Sequence, residues 1–241
     1  MSISTRTVAA REKAQGALTW RIIPNIWDPK SNPDGFVSLG AAENSLMHDE
    51  PNQHVRDNFS PSNVASTYVD GMTGTKRLKA AMAQFLNRHL QPFQPLEPSH
   101  IEVTNGCSSA IEHLVWGLSN PGEGFLLGQP YYGTFTPDIQ SSLRRSTPTS
   151  AIPRHGSPSH PHNPLGRCYT RDAIIGPMRL CEKYGIHFIS DEIYALSVWN
   201  NTVDEGEPVA FESALSIKPT VIINPSRVHA TYGMSKDFGA N

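Results

Sequence analysis

The sequence predicts an α/β domain with a mostly parallel sheet and helices on both faces. Three observations predict it. Short apolar runs such as "IHFIS" and "GFLLG" have the length and continuity of strands covered on both sides. Between them lie amphipathic stretches with helical spacing and recognisable ends. No repeat and no coiled-coil heptad competes with this alternation.

A chain of 241 residues has room for a large core, as one domain or one domain with an appendage. Its net charge of -2 gives no general attraction to nucleic acid or an anionic membrane. No apolar run approaches the roughly 18 residues of a membrane span. The start, "MSISTRTVAAREKAQG", lacks a signal-peptide core, and Glu12 weighs against a mitochondrial presequence. Three cysteines, Cys107, Cys168 and Cys181, form neither a disulfide framework nor a zinc spacing, which suits a reducing cytoplasm.

Residues 1–60 read as a turn-rich arm, with "GFVSLG" as its one strand candidate, and residues 61–241 as the sheet domain. In "GTKRLKAAMAQFLNRHL", Leu78, Met82, Phe85 and Leu86 fall at i, i+4, i+7 and i+8, an amphipathic helix. "HIEVTNG" reads as a strand entering a glycine turn, and "SSAIEHLVWGLS" as a helix with serine at its start. "GFLLGQPYYG" is a strand ending in a Gly/Pro/Tyr loop. "TRDAIIGPMRLCEKYG" is a helix opened at Thr170 and closed by Gly185. "IHFISDEIYA" is a strand running out into two acids, and "TVIINP" and "RVHATYGMSKD" are further strand candidates.

One interval breaks the rhythm. "SSLRRSTPTSAIPRHGSPSHPHNPLGR" has prolines at 148, 153, 158, 161 and 164 and no sustained apolar run. A loop this long is uncommon in a compact domain, so it reads as a surface excursion or as the place of a missing element.

In an open parallel sheet, ligands sit beyond the carboxyl ends of the strands. After "IEV" comes Thr104-Asn105-Gly106-Cys107-Ser108-Ser109, whose N–H groups suit a phosphate or an ordinary helix cap. After "GFLLGQ" come Tyr131 and Tyr132, which can cover a flat ligand or pack at the surface. Asp191 and Glu192 follow "IHFIS", with Tyr194 beyond; a buried acid there calls for a cationic ring nitrogen, a cap or a local salt bridge. Lys236 follows "RVHATYGM" and reads as a Schiff-base amine or as a solvated lysine. Together with Asn163 in "HPHNPLG", these groups suit pyridoxal 5'-phosphate, which needs an amine, an acid at its ring nitrogen, and donors to its phenolic oxygen and phosphate.

The segments "LGAAENSL", "GTKRLKAAMAQFL", "TNGCSSAIEHL", "QPYYGTF", "HNPLGR", "SDEIY" and "YGMSKDFG" run in order over about residues 36–241. In them the chain resembles the class I/II pyridoxal-phosphate aminotransferases of fold type I, in their 1-aminocyclopropane-1-carboxylate synthase-like fungal branch. The resemblance implies the large, pyridoxal-phosphate-binding domain of that fold in residues 61–241, with a small-domain segment in 1–60. It implies Lys236 as the Schiff-base lysine and proton shuttle and Asp191 as partner of the pyridine nitrogen. Tyr194 and Asn163 would serve the phenolic oxygen, Tyr132 would stack on the ring, and Cys107, Ser108 and Ser235 would hold the phosphate. Tyr68, ahead of "GMTG", resembles a tyrosine that reaches the neighbouring subunit's phosphate in a homodimer, one residue off the family spacing. Glu43 lies in the "AEN" segment that approaches the amino acid substrate.

The chain also departs from the family pattern. The family continues past the lysine into an arginine for the phosphate, another strand, and a small domain that clamps the substrate carboxylate. It also places a strand-helix-strand passage before the asparagine, where this chain has "IPRHGSPSHP", a stretch that reads as unable to form a central parallel strand. The expectation is therefore a truncated sheet lacking a central and an edge strand. Two functions follow: a pyridoxal-phosphate enzyme (an aminotransferase, an aminocyclopropane-forming enzyme or a carbon-sulfur lyase), or a catalytically inactive remnant. An unrelated nucleotide-binding domain is disfavoured, because no Walker motif or GxGxxG follows any strand.

Overall fold

A computed structural model describes residues 3–16, 18–68, 70–120, 123–142, 152–203 and 206–239. The chain divides into two compact units, Met1–Glu43 and Asn44–Asn241. The first carries helices α1 (Thr5–Gln15) and α2 (Leu18–Ile22) and a turn closed by the Ile26–Phe36 bridge. The "GFVSLG" run thus contributes a single bridge rather than a strand.

The second unit holds α3 (Asp49–Asn58), α4 (Lys76–Leu90), α5 (Gly106–Leu118), β1 (Glu123–Leu127), α6 (Phe135–Ser142), β2 (Ile152–Ser157), α7 (Arg171–Tyr184), β3 (His187–Asp191), β4 (Val228–Thr231) and α8 (Met234–Asp237). The strands form one sheet in the order β1-β2-β3-β4, every neighbouring pair parallel.

Helix ends follow the local chemistry. Thr75 Oγ1 accepts from the Leu78 N–H at 3.2 Å to start α4. Thr170 Oγ1 does the same for Ala173 at α7, which ends on Gly185 in the left-handed region (φ 65°). Of the α4 stripe, Leu86 is buried and Met82 and Phe85 are partly so, beside Ala195 and Tyr232. Leu78 stays at the surface.

The register places helices on both faces. Phe125 aligns through His155 with His187, so Phe125 and Phe188 occupy opposite faces. Phe188 packs on Ile174, Met178 and Cys181 of α7. Phe125 and Leu127 pack on Ile111 and Val115 of α5 and Phe135 and Ile139 of α6.

Three sequence expectations require correction. The stretch beginning "IPRHGS" does form a central strand: β2 lies between β1 and β3. Its proline is tolerated because Pro153 pairs with Gly124, where the register shifts between Gly124 and Phe125, so the missing N–H falls at an irregularity. The line of β2 then continues past Pro158 through a Ser159–Asp191 bridge, in which the His160 N–H donates to the Asp191 carbonyl at 2.8 Å. Conversely, "IEV" is no strand. Ile101 is extended (φ -103°, ψ 127°), yet no strand of the described residues lies beside it. "TVIINP" folds as turns that bury Ile223.

Candidate cofactor site

The chemistry-bearing residues gather where β3 and β4 end. Asp191 is the last residue of β3 and only 4% exposed. Its carboxylate accepts from Thr231 Oγ1 at 3.0 Å, the Ile193 N–H and the Ser159 hydroxyl, all neutral donors. Burial outweighs these bonds and pushes its pKa up to about 6. A buried carboxyl surrounded by neutral groups is suited to a ligand that brings its own positive charge.

The next residue has a different task. Glu192 is fully buried and accepts from Ser213 Oγ (2.7 Å) and the Ala214 N–H (2.9 Å), closing the short 3-10 turn Ala214–Ser216. Burial first, and then the neighbouring Asp191, raise its pKa to about 7. It is occupied inside the fold.

Helix α5 begins at the same end of the sheet. Gly106 takes φ +85°, and Asn105 makes no side-chain cap bond, so the first-turn N–H groups have no side-chain cap. The Cys107 thiol points inward; burial and the Asp191 charge push it up to about 12, while Thr231 and Lys236 pull the other way. The Ser108 hydroxyl bonds to Asp138 of α6, so that hydroxyl is already engaged within the fold. Gly233 sets the floor: a Cβ there would lie 2.9 Å from Ile193 Cδ1 and 3.2 Å from Cys107 Sγ.

Lys236 and Ser235 lie half-buried on α8. Asp237 ties that turn down by accepting from the Leu196 N–H (3.2 Å), Ser197 Oγ and Tyr232 Oη (3.0 Å). The lysine is thereby fixed against the segment that carries Tyr194. Asn163 Nδ2 reaches Tyr194 Oη at 3.5 Å, and burial raises the Tyr194 phenol, with Tyr132 and Asp191 adding to it. Tyr132 itself meets Phe135 edge-on at 5.6 Å.

Two histidines overlooked in the sequence hold this arrangement. His162 Nδ1 accepts from the Leu165 N–H (3.2 Å), so its Nε2–H donates to the Pro130 carbonyl (2.9 Å). It thus joins the Asn163 loop to the Tyr132 loop. His160 accepts at Nδ1 from the Tyr169 N–H (3.2 Å) and donates from Nε2 to the Glu212 carbonyl (3.0 Å). Burial pushes His160 down to about 4 and keeps it neutral. Their signal was the pairing of aromatic acceptors with prolines in "HPHNP".

Two expected residues are exposed. Tyr68 is 87% exposed. Glu43 is exposed in the first unit. The donor set that does gather fits pyridoxal 5'-phosphate: a buried acid, an adjoining amine, an amide-phenol pair, and a helix start with a glycine-lined floor.

Comparison with known proteins agrees. The family model "Aminotransferase class I and II" matches residues 35–146 and 159–241. The probable aminotransferase sirI of Leptosphaeria maculans is 31% identical over 92% of this chain and 59% of its own. The 1-aminocyclopropane-1-carboxylate synthase-like protein 1 of Takifugu rubripes is 26% identical over 86% of this chain and 37% of its own. Cystalysin from Treponema denticola, solved with a pyridoxal 5'-phosphate cofactor, shares the fold at a TM-score of 0.63 and 18% identity, over 100% of this chain and 60% of its own. The chain thus spans about 40–60% of the length of these relatives. The family match and the sheet-end constellation lead to one conclusion: this chain belongs to the class I and II aminotransferases.

Proposed function

We propose that residues Asn44–Asn241 form a pyridoxal 5'-phosphate site serving an enzyme that acts on an amino acid, as an aminotransferase of the aminocyclopropane-carboxylate synthase-like kind. The observation that carries this reading is Asp191, buried among neutral donors at the end of β3, with Lys236 within electrostatic reach of the neighbouring Cys107. The cofactor, when bound, supplies an electron sink for bonds at the amino acid Cα. Asp191 balances the charge of a protonated ring nitrogen. Asn163 and Tyr194 donate to the phenolic oxygen, and Tyr132 covers the ring. The first turn of α5, with Ser235, receives the phosphate. Lys236 supplies the amine and accepts or returns the Cα proton.

Tyr68, so exposed, suits contact with a second copy in a homodimer, and Glu43 the substrate side. Free cysteines suit a reducing compartment such as the cytoplasm. No helix of the described residues is long and apolar enough to cross a membrane.

The test is to add pyridoxal 5'-phosphate, record the visible spectrum, reduce with borohydride and map the modified peptide. A visible band and a label on Lys236, both absent in Lys236→Ala, are expected. A folded wild-type chain with no band and no label overturns the reading. A labelled chain is then assayed for transamination, aminocyclopropane formation and carbon-sulfur lysis. Label without turnover identifies a binding-competent but inactive chain.

A further inference from the structure

Asp191 and Thr231 are direct partners in the β3–β4 register. Each is 4% exposed, and Thr231 Oγ1 donates to Asp191 Oδ1 at 3.0 Å. Threonine is β-branched, so its hydroxyl direction is set by the strand rather than by a flexible arm. The other side-chain donor to the carboxylate, Ser159, shares its single hydroxyl proton with the Pro161 carbonyl at 3.2 Å. Thr231 is therefore the side chain whose proton is committed to Asp191.

A carboxylate only accepts, so the single hydroxyl proton of Thr231 points at Asp191 Oδ1.

We propose that Thr231 is a positioning residue, holding the Asp191 carboxylate ionised and in one orientation through its cross-strand hydrogen bond. This rests on the reading of Asp191 as partner of the cofactor's ring nitrogen.

The experiment follows the carboxyl carbon of Asp191 by NMR titration in the cofactor-free chain, with the signal assigned through Asp191→Asn. Thr231→Val should raise the Asp191 midpoint by about one unit, the size of one hydrogen bond to a charged group. Thr231→Ser, which restores the hydroxyl, should return it to the wild-type midpoint. Thr231→Ala removes the same hydroxyl with less bulk at stake and serves if Val does not fold. A midpoint unmoved by loss of the hydroxyl, or one that Ser fails to restore, overturns the proposal. Pyridoxal phosphate binding by the wild-type chain is read separately by visible absorbance. A titration that moves as stated in a chain taking up no cofactor overturns the cofactor reading and upholds the Thr231–Asp191 coupling.

Discussion

At the scale of single residues, position relative to a strand end carried most of the information. Lys236, Asp191, Asn163 and Tyr194 were readable because each follows a strand or a proline turn by a few residues. Thr231 and His162 were not readable in that way. Their roles are partnerships, across the β3–β4 pair and between two loops, which exist only once a register is set. Gly233 shows how finely the floor of the site is set. Gly233→Val should weaken pyridoxal phosphate binding at least about tenfold, the equivalent of about 1.4 kcal/mol, because its side chain must displace Ile193 or Cys107. Unchanged affinity in an absorbance titration would remove Gly233 from the floor.

At the scale of elements, amphipathic helices were legible and the central strand was not. Helix α7 has a threonine start, a glycine stop and a buried line of Ile174, Met178 and Cys181, all visible as sequence. Met178→Ala should cost about 2–5 kcal/mol in urea unfolding. Leu180→Ala, on a side chain 43% exposed, should stay within about 0.5 kcal/mol. Equal losses would show that α7 does not bury the face described. Strand β2 lacks the apolar signature because the ladders of β1 and β3 dictate its shape, and its proline falls where those ladders slip. "IEV" has that signature but no neighbouring strand among the described residues, and it stays extended coil. A strand is a property of a pair, which one segment's composition underdetermines.

At the scale of the whole molecule, buried titratable groups oppose one another. Burial pushes His160 down to about 4, and also His229, which is half-buried and shares a hydrogen bond with His187 (2.9 Å). Such groups favour the fold at higher pH, and their contribution is lost as pH falls from 6.5 toward 4. Asp191, raised to about 6, and Glu192, raised to about 7, behave oppositely: their contribution is full below the ordinary carboxylate range and is lost as pH rises through 6 and 7. The two slopes cancel across pH 4.5–6.5, so the cofactor-free chain should show a nearly level melting temperature there. Glu192→Gln removes one acid, keeps an acceptor for the Ala214 N–H, and should make the melting temperature fall as pH drops from 6.5 to 4.5. Calorimetry at several pH values checks this, and a variant as level as wild type would refute the opposition.

The simple order of the sheet also sets a timetable. Because the strands pair in the order in which they are made, β1 to β2 to β3 to β4, each can dock on its predecessor as the chain is synthesised at about 5–20 residues per second. On that route Asp191 precedes Thr231 and Lys236, and the acid waits for its threonine and its amine until β4 and α8 are made.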